Sequence, residues 1–346
     1  MHALQVTGPG TVELRTVPVP GIGPTDVLLR VGAAGICRSD LRIVALTEPR
    51  CARPFTLGHE IAGTVEAVGA EVSTPLAGAR GVVYPCWSCG VCRECLRGNE
   101  NICLAAGRAA SPPSPGVDRD GGMAEYVCVP ARAFVPIGEL DFLQAAPLAD
   151  AALAGYHAVA GVADRLVPGS TAVVVGVGGL GHVAVQILTA TTAARVIAVD
   201  LAEDKLALAK ANGADECLLS GADTAGQILD RTEGRGAEAV FDFVGDERTT
   251  RLAMESVAPN GACRIVGFGG GSTEVLARPT GATGLPWGAS VRKTYAGTRS
   301  DLVEAIALAR SGKLRVDVEP YELVDGREAL DRLARGLVRG RAVLVP

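Results

Sequence analysis

Apolar and polar positions follow two different rhythms along this chain. Up to about residue 150, short alternating runs rich in Val, Gly and Pro predict strands. Asp26–Val31 and Ile61–Val68 are among them, parted by Gly-Pro turns such as Gly21–Pro24. That part reads as a β-rich domain. Within it, the Pro- and Gly-rich segment Ser111–Gly122 reads as an exposed, mobile loop. Around Ala145–Val162 the pattern becomes Ala-rich and helical. From Thr171 onward, apolar runs alternate with helical stretches. Strands are predicted at Thr171–Gly176, Arg195–Asp200, Glu216–Leu219, Glu238–Phe243 and Cys263–Gly267, and helices at Leu180–Thr191, Glu203–Ala211 and near 224–232 and 247–257. Strands alternating with helices imply a parallel sheet covered on both faces. Two more helices, Ser300–Ser311 and Gly326–Leu337, and a strand, Ala342–Val345, follow.

Composition narrows the class. The 346 residues leave room for two domains, and 48% hydrophobic against 21% charged residues excludes bulk disorder. A net charge of −5 gives no basic footprint for nucleic acid or an anionic membrane. Thr171–Leu188 is long and apolar enough to mimic a membrane span, but its glycines and His182 fit a strand, a turn and a helix better. Met1–Gly10 has no basic region followed by an apolar run, so no signal peptide is expected, and the cytoplasm is the expected compartment.

Two motifs carry chemistry. Cys89, Cys92, Cys95 and Cys103 form a C-x2-C-x2-C-x7-C pattern in a lobe spanning 86–104. Thiolates so spaced fit a tetrahedral zinc ion at about 2.3 Å per bond, and a closed shell of four makes that metal structural. Disulfide staples belong to small secreted chains, which argues against a redox or disulfide reading. Cys86 is spare and reads as non-ligating. The second motif is Gly176-Val177-Gly178-Gly179-Leu180-Gly181, a G-x-G-x-x-G placed between a strand and a helix. Its glycines permit the tight turn, close approach to a pyrophosphate and close helix–strand packing. The helix N-terminus supplies N–H groups and positive potential for the phosphates. Asp200, at the end of the next strand, is in place for a ribose 2′-OH. A carboxylate there repels a 2′-phosphate, so NAD is expected rather than NADP.

A further group is dispersed. Gly35-Ile36-Cys37-Arg38-Ser39-Asp40 sets a cysteine in a loop, and Gly58-His59-Glu60 sets a histidine after an apolar stretch. A lone Cys or His is usually a satisfied core residue. Taken with Leu57–Val65, Pro147–Val159, Val173–Leu188 and the closing Arg339–Pro346, however, these residues resemble the zinc-containing medium-chain alcohol dehydrogenases over essentially the whole chain. The nearest subgroup is the bacterial NAD-dependent secondary-alcohol dehydrogenases.

The resemblance implies a GroES-like catalytic domain (1–151 and 295–346) joined to a Rossmann NAD-binding domain (152–294), with the active site in the cleft. It implies Cys37, His59 and Asp150 as ligands of a second, catalytic zinc whose open position takes the substrate oxygen. Asp40 would orient the ligating imidazole and Glu60 would sit behind the metal. Ser39 would pass the substrate proton toward the nicotinamide ribose. Arg38, Lys205 and Arg341 would contact the cofactor. Arg42 stands where many relatives end the relay with a histidine, and cannot act as a base. Ala296 replaces an aromatic frequent in the subgroup after the retained Tyr295. Phe55, Trp87, Leu285, Trp287 and Tyr295 are candidate apolar walls. The implied activity is reversible hydride transfer between a small-molecule alcohol, most naturally a secondary one, and NAD+. The implied assembly is a homotetramer or homodimer. A polyol or sugar dehydrogenase, and a non-catalytic NAD(H)-responsive binding protein, are the rival readings.

Overall fold

The computed structural model describes residues 1–48, 52–272 and 284–346. In chain order the strands begin with β1 (His2–Gly8), β2 (Thr11–Thr16), β3 (Asp26–Gly35), β4 (Phe55–Thr56), β5 (Glu60–Val68), β6 (Arg80–Val83), β7 (Tyr126–Pro130) and β8 (Phe134–Pro136). Then come β9 (Thr171–Val175), β10 (Arg195–Asp200), β11 (Glu216–Leu219), β12 (Ala237–Asp242), β13 (Val257–Ile265), β14 (Ser290–Lys293), β15 (Val318–Glu322) and β16 (Arg341–Val345). The helices that matter for the sites are α1 (Arg38–Ala45), α2 (Arg93–Leu96), α3 (Phe142–Ala145), α4 (Ala151–Ala160), α5 (Gly181–Thr191) and α6 (Glu203–Ala211). No helix among the described residues is long and apolar enough to cross a membrane.

The chain forms two compact units. One comprises Met1–Leu153, Thr298–Arg310 and Arg315–Pro346, and the other Ala154–Gly297 with Ser311–Leu314. In the first, β2, β1 and β4 make a small antiparallel sheet. A larger sheet runs β15-β16-β3-β5-β6-β8, with β7 also pairing β3. Leu4, Leu29, Ile36, Leu57, Ile61 and Phe134 fill its core. Each such side chain taken out of water contributes about 1.5–3 kcal/mol.

The expectation of an exposed loop at Ser111–Gly122 is corrected here. Much of this segment is buried, because its glycine backbone packs on the Leu57–Gly58 turn. Gly121 N–H donates to Thr56 O at 2.9 Å, Gly122 N–H to Gly58 O at 2.9 Å and Met123 N–H to Leu57 O at 2.8 Å. Asp120 Oδ1 accepts Thr56 N–H at 2.8 Å. Gly58 itself has φ +101°, and a Cβ on Gly121 would lie 2.2 Å from Gly58 O, so backbones meet where side chains would clash. The segment clamps the turn that delivers His59.

The second unit is a six-stranded parallel sheet of order β11-β10-β9-β12-β13-β14. β9 is buried throughout, and Val173, Val175, Ile197, Val199, Val240 and Leu252 form the core. Parallel strands covered on both faces read as unbroken apolar runs, which is why this unit was legible. The strand order reverses between β9 and β12, and the carboxyl ends of strands at such a switch point are where α/β sheets bind ligands.

Candidate functional site

The four-cysteine lobe closes on itself. Cys89, Cys92, Cys95 and Cys103 bring their sulfurs within 4.8 Å of one another. Cys92 caps α2, whose single turn returns Cys95 to within 3.4 Å of Cys92 Sγ. Backbone donors surround the sulfurs: Cys92 N–H reaches Cys89 Sγ at 3.3 Å, Cys89 N–H reaches Cys103 Sγ at 3.4 Å and Leu104 N–H reaches Cys92 Sγ at 3.4 Å. Such donors stabilise thiolates. The backbone N–H of Cys95, then that of Leu104, draws the Cys92 thiol down to about 6, whereas burial pushes Cys95 up to about 11. Four sulfurs sharing N–H donors and each other's space suit a cation at their centre. Cys86 stands apart, buried beside Tyr84, with its thiol pushed up to about 12 by burial.

The dispersed cysteine and histidine also meet. β3 ends at Gly35 and α1 starts at Arg38, so Cys37 lies at the helix entrance. β5 starts at Glu60, directly after His59. Asp40 ties the two together: its Oδ2 accepts Cys37 N–H at 2.7 Å and its Oδ1 lies 3.2 Å from His59 Nδ1. On the other side of the ring, His59 Nε2 stands 3.8 Å from Asp150 Oδ2. Ser39 Oγ is 3.4 Å from Cys37 Sγ. One ligand atom from each of Cys37, His59, Glu60 and Asp150 falls within 4.8 Å of the others. Burial alone would lower the His59 pKa, but Asp40 foremost, then Asp150 and Cys37, raise it well above its ordinary value. A pocket of thiol and carboxylates that favours a proton on its histidine is a pocket that attracts a cation. Its donor set fits a divalent metal.

The glycine-rich turn fits a dinucleotide. Gly176, following β9, has φ +85°, and a Cβ on Gly181 would lie 1.9 Å from Gly176 O. A Cβ on Gly178 would meet no atom, so the turn leaves open space there. Gly179 and Leu180 lead into α5, whose buried His182 holds Gly178 O through Nδ1 at 2.8 Å. Asp200 ends β10; its Oδ2 accepts Val177 N–H at 2.7 Å and its Oδ1 accepts Leu201 N–H at 2.7 Å. The carboxylate thus joins the strand end to the turn.

The remaining expected residues are dispersed. Arg38 and Arg42 are exposed on α1, and Lys205 is half-buried on α6. Arg341, read as a cofactor contact, has its guanidinium occupied by Glu60 and Asp150. Phe55 belongs to the core of the first unit and Leu285 packs on the core of the second, whereas Trp287 is exposed. Ala296 has φ +44°, a left-handed backbone in which a bulkier side chain is strained. Asp242 was not singled out in the sequence. It is fully buried at the end of β12 and accepts Val244 N–H, Gly245 N–H and the Thr249 and Thr250 hydroxyls, although burial raises its pKa. Its signal, an aspartate ending an apolar strand, is the one Asp200 also carries.

Residues 23–139 match the family described as the alcohol dehydrogenase GroES-like domain, and residues 179–311 match the zinc-binding dehydrogenases. An NAD-dependent alcohol dehydrogenase of Sulfurisphaera tokodaii is 34% identical, with 100% of both chains covered. A D-arabinose 1-dehydrogenase (NADP(+)) of Saccharolobus solfataricus is 31% identical, over 97% of this chain and 94% of its own. The crystal structure of the alcohol dehydrogenase from Aeropyrum pernix superposes with a TM-score of 0.91 at 33% identity, covering 100% of both chains. The fold is thus a GroES-like unit with a Rossmann-type unit inserted in its sequence. The chain belongs to the zinc-type medium-chain alcohol dehydrogenase family.

Proposed function

We propose that this protein is a zinc- and NAD-dependent alcohol dehydrogenase that oxidises secondary alcohols and reduces the corresponding ketones. In this reading residues 1–151 and 295–346 carry the substrate chemistry and 152–294 bind NAD. Each chain takes two zinc ions, one in the four-cysteine lobe and one at Cys37, His59 and Asp150. The protein works as a homotetramer or homodimer in the cytoplasm. The observation that carries this is the convergence of Cys37, His59 and Asp150, with Ser39 beside them. When bound, the metal would polarise the substrate's oxygen and the nicotinamide would exchange a hydride with the carbinol carbon.

The chain's own side chains do the rest. Asp40 holds the His59 ring and Cys37 in register, so neither has to reorganise during turnover. Ser39 Oγ stands at the ligand set, where it can take the proton of the substrate hydroxyl. Arg42, one turn on, cannot take it further. Ser39→Ala is therefore expected to lower kcat roughly a hundredfold or more at neutral pH, while Arg42→Ala changes it little. A Ser39→Ala enzyme with unchanged kcat and a full kinetic isotope effect removes Ser39 from the mechanism.

Asp200 supports NAD over NADP. Replacing it by Gly together with Leu201→Arg is expected to move preference toward NADP, because a guanidinium pairs with the 2′-phosphate. A wild-type enzyme that prefers NADP in kcat/KM contradicts this reading. The D-arabinose relative keeps a sugar substrate as the second reading. Absorbance at 340 nm with NAD+ over a panel of secondary alcohols and polyols decides between them. Preference for polyols selects the rival, and no turnover on any selects a binding protein.

A further inference from the structure

His182 is 0% exposed, on a stretch of α5 where Val183, Ala184, Val185, Ile187 and Leu188 are buried as well. An apolar side chain would pack there at no polar cost, whereas a buried imidazole is costly unless its nitrogens are bonded. Its Nδ1 lies 2.8 Å from Gly178 O. A carbonyl oxygen can only accept, so Nδ1 carries the hydrogen and donates it. The amide N–H of the same residue donates to the same oxygen at 3.2 Å. One residue thus occupies both lone pairs of Gly178 O.

The peptide held in this way joins Gly178 to Gly179, and with no Cβ on either side it is among the easiest in the chain to turn over. The bond is trans, so Gly179 N–H points opposite to Gly178 O. With the oxygen drawn toward α5, that N–H faces away from the helix. Among the described residues, the N–H groups of Gly179 and Leu180 have no acceptor. A Cβ on Gly178 would meet nothing within 4 Å, so the turn is open there.

We propose that His182 is a positioning residue of the dinucleotide turn, pinning the Gly178–Gly179 peptide with its N–H outward for the cofactor's pyrophosphate. The proposal rests on the glycine-rich turn being the phosphate site. If the peptide turns over, a carbonyl oxygen meets the phosphates where an N–H should, and the attraction becomes repulsion. Apparent affinity then falls with the fraction of chains whose turn is ready to bind. A ligand without phosphates does not sense that peptide.

The test is calorimetric binding to the full-length protein with ADP-ribose, which carries the pyrophosphate, and adenosine, which does not. The wild type is expected to bind both, ADP-ribose the more tightly. His182→Leu keeps the bulk and removes the donor. It is expected to weaken ADP-ribose about tenfold, the scale of one good hydrogen bond, and to leave adenosine within about twofold. His182→Asn sets its amide nitrogen where Nδ1 stands and keeps ADP-ribose within about twofold of the wild type, a rescue that a merely structural role does not predict. His182→Gln carries its amide nitrogen one bond further out. It shows the loss in weaker form and serves if the leucine variant does not fold. A leucine variant with wild-type affinity for ADP-ribose overturns the proposal. An equal loss for both probes overturns it as well, since it marks a damaged sheet rather than a turned peptide. So does an asparagine variant as weak as the leucine one. A wild-type chain that binds ADP-ribose no better than adenosine overturns the reading of the turn beneath it.

Discussion

Replacing His59 by Ala is expected to reduce turnover to background while the chain still folds. His59 is 6% exposed, and its ring lies between Asp40 on one nitrogen and Asp150 on the other, so it faces the ligand set from inside the pocket. Without it, Cys37 and Asp150 have no neutral nitrogen donor between them, and two ligands hold a divalent ion far less firmly than three. The backbone is held independently. β5 begins one residue later, and Gly122 and Met123 clamp Gly58 and Leu57. Asp40 keeps its bond from Cys37 N–H, so its burial is only partly uncompensated, and the expected stability loss is about 1–3 kcal/mol. The check combines kcat, zinc per chain by elemental analysis and a thermal unfolding curve. A folded His59→Ala enzyme with measurable turnover and full zinc removes the histidine from the centre.

Breaking the cysteine lobe should do the opposite, harming stability more than chemistry. Cys95 Sγ lies 3.4 Å from Cys92 Sγ and 3.9 Å from Cys89 Sγ, in a lobe whose helix α2 is one turn long and buries none of its residues. So short a helix cannot sustain itself. In the proposed reading a zinc ion would organise the lobe, and structural zinc in small domains contributes about 10–16 kcal/mol of apparent binding energy that serves as folding energy. Cys95→Ser is expected to drop zinc from two ions per chain to one, lower the melting temperature and weaken assembly. The kcat per folded chain should change only modestly. A fully metallated wild type with one zinc or none contradicts the count. A Cys95→Ser protein as stable as the parent makes the lobe's metal dispensable.

The sequence showed the second unit most clearly. Arg195–Asp200, Glu203–Ala211 and Glu216–Leu219 were read with the bounds they have in the fold, since buried strands and flanking helices leave opposite patterns. Where local chemistry and tertiary pairing disagreed, reading failed. β13 begins at Val257, before Pro259, Asn260 and Gly261, residues that favour a turn; Asn260 has φ +59°, and the register with β12 shifts between Ala237 and Ala239. β14 was not read as a strand because three of its four side chains are exposed and two are basic. In the first unit, Cys37 and His59 come together only through the pairing of β3 with β5, which no spacing encodes. Resemblance named both residues. It could not say that Arg341 would sit on Glu60 and Asp150, because such a contact depends on which face of β16 turns inward.

Sequence separation gives the two candidate ligand groups different timetables during synthesis. The cysteine lobe is local, with its sulfurs contributed from 89 to 103, so the group that would hold an ion is complete soon after it leaves the ribosome. The Arg341–Glu60 pair spans 281 residues, and β16 fills the place between β15 and β3 in the large sheet. Until β16 arrives, β3 lacks a neighbour and Glu60 has no arginine, so a nascent chain carries its carboxylates unrestrained while the second unit is still being made. Contacts this distant close slowly, and domains tend to fold as they emerge. The order of translation therefore completes the Cys89–Cys103 lobe long before Cys37, His59, Glu60 and Asp150 stand against the arginine of the last strand.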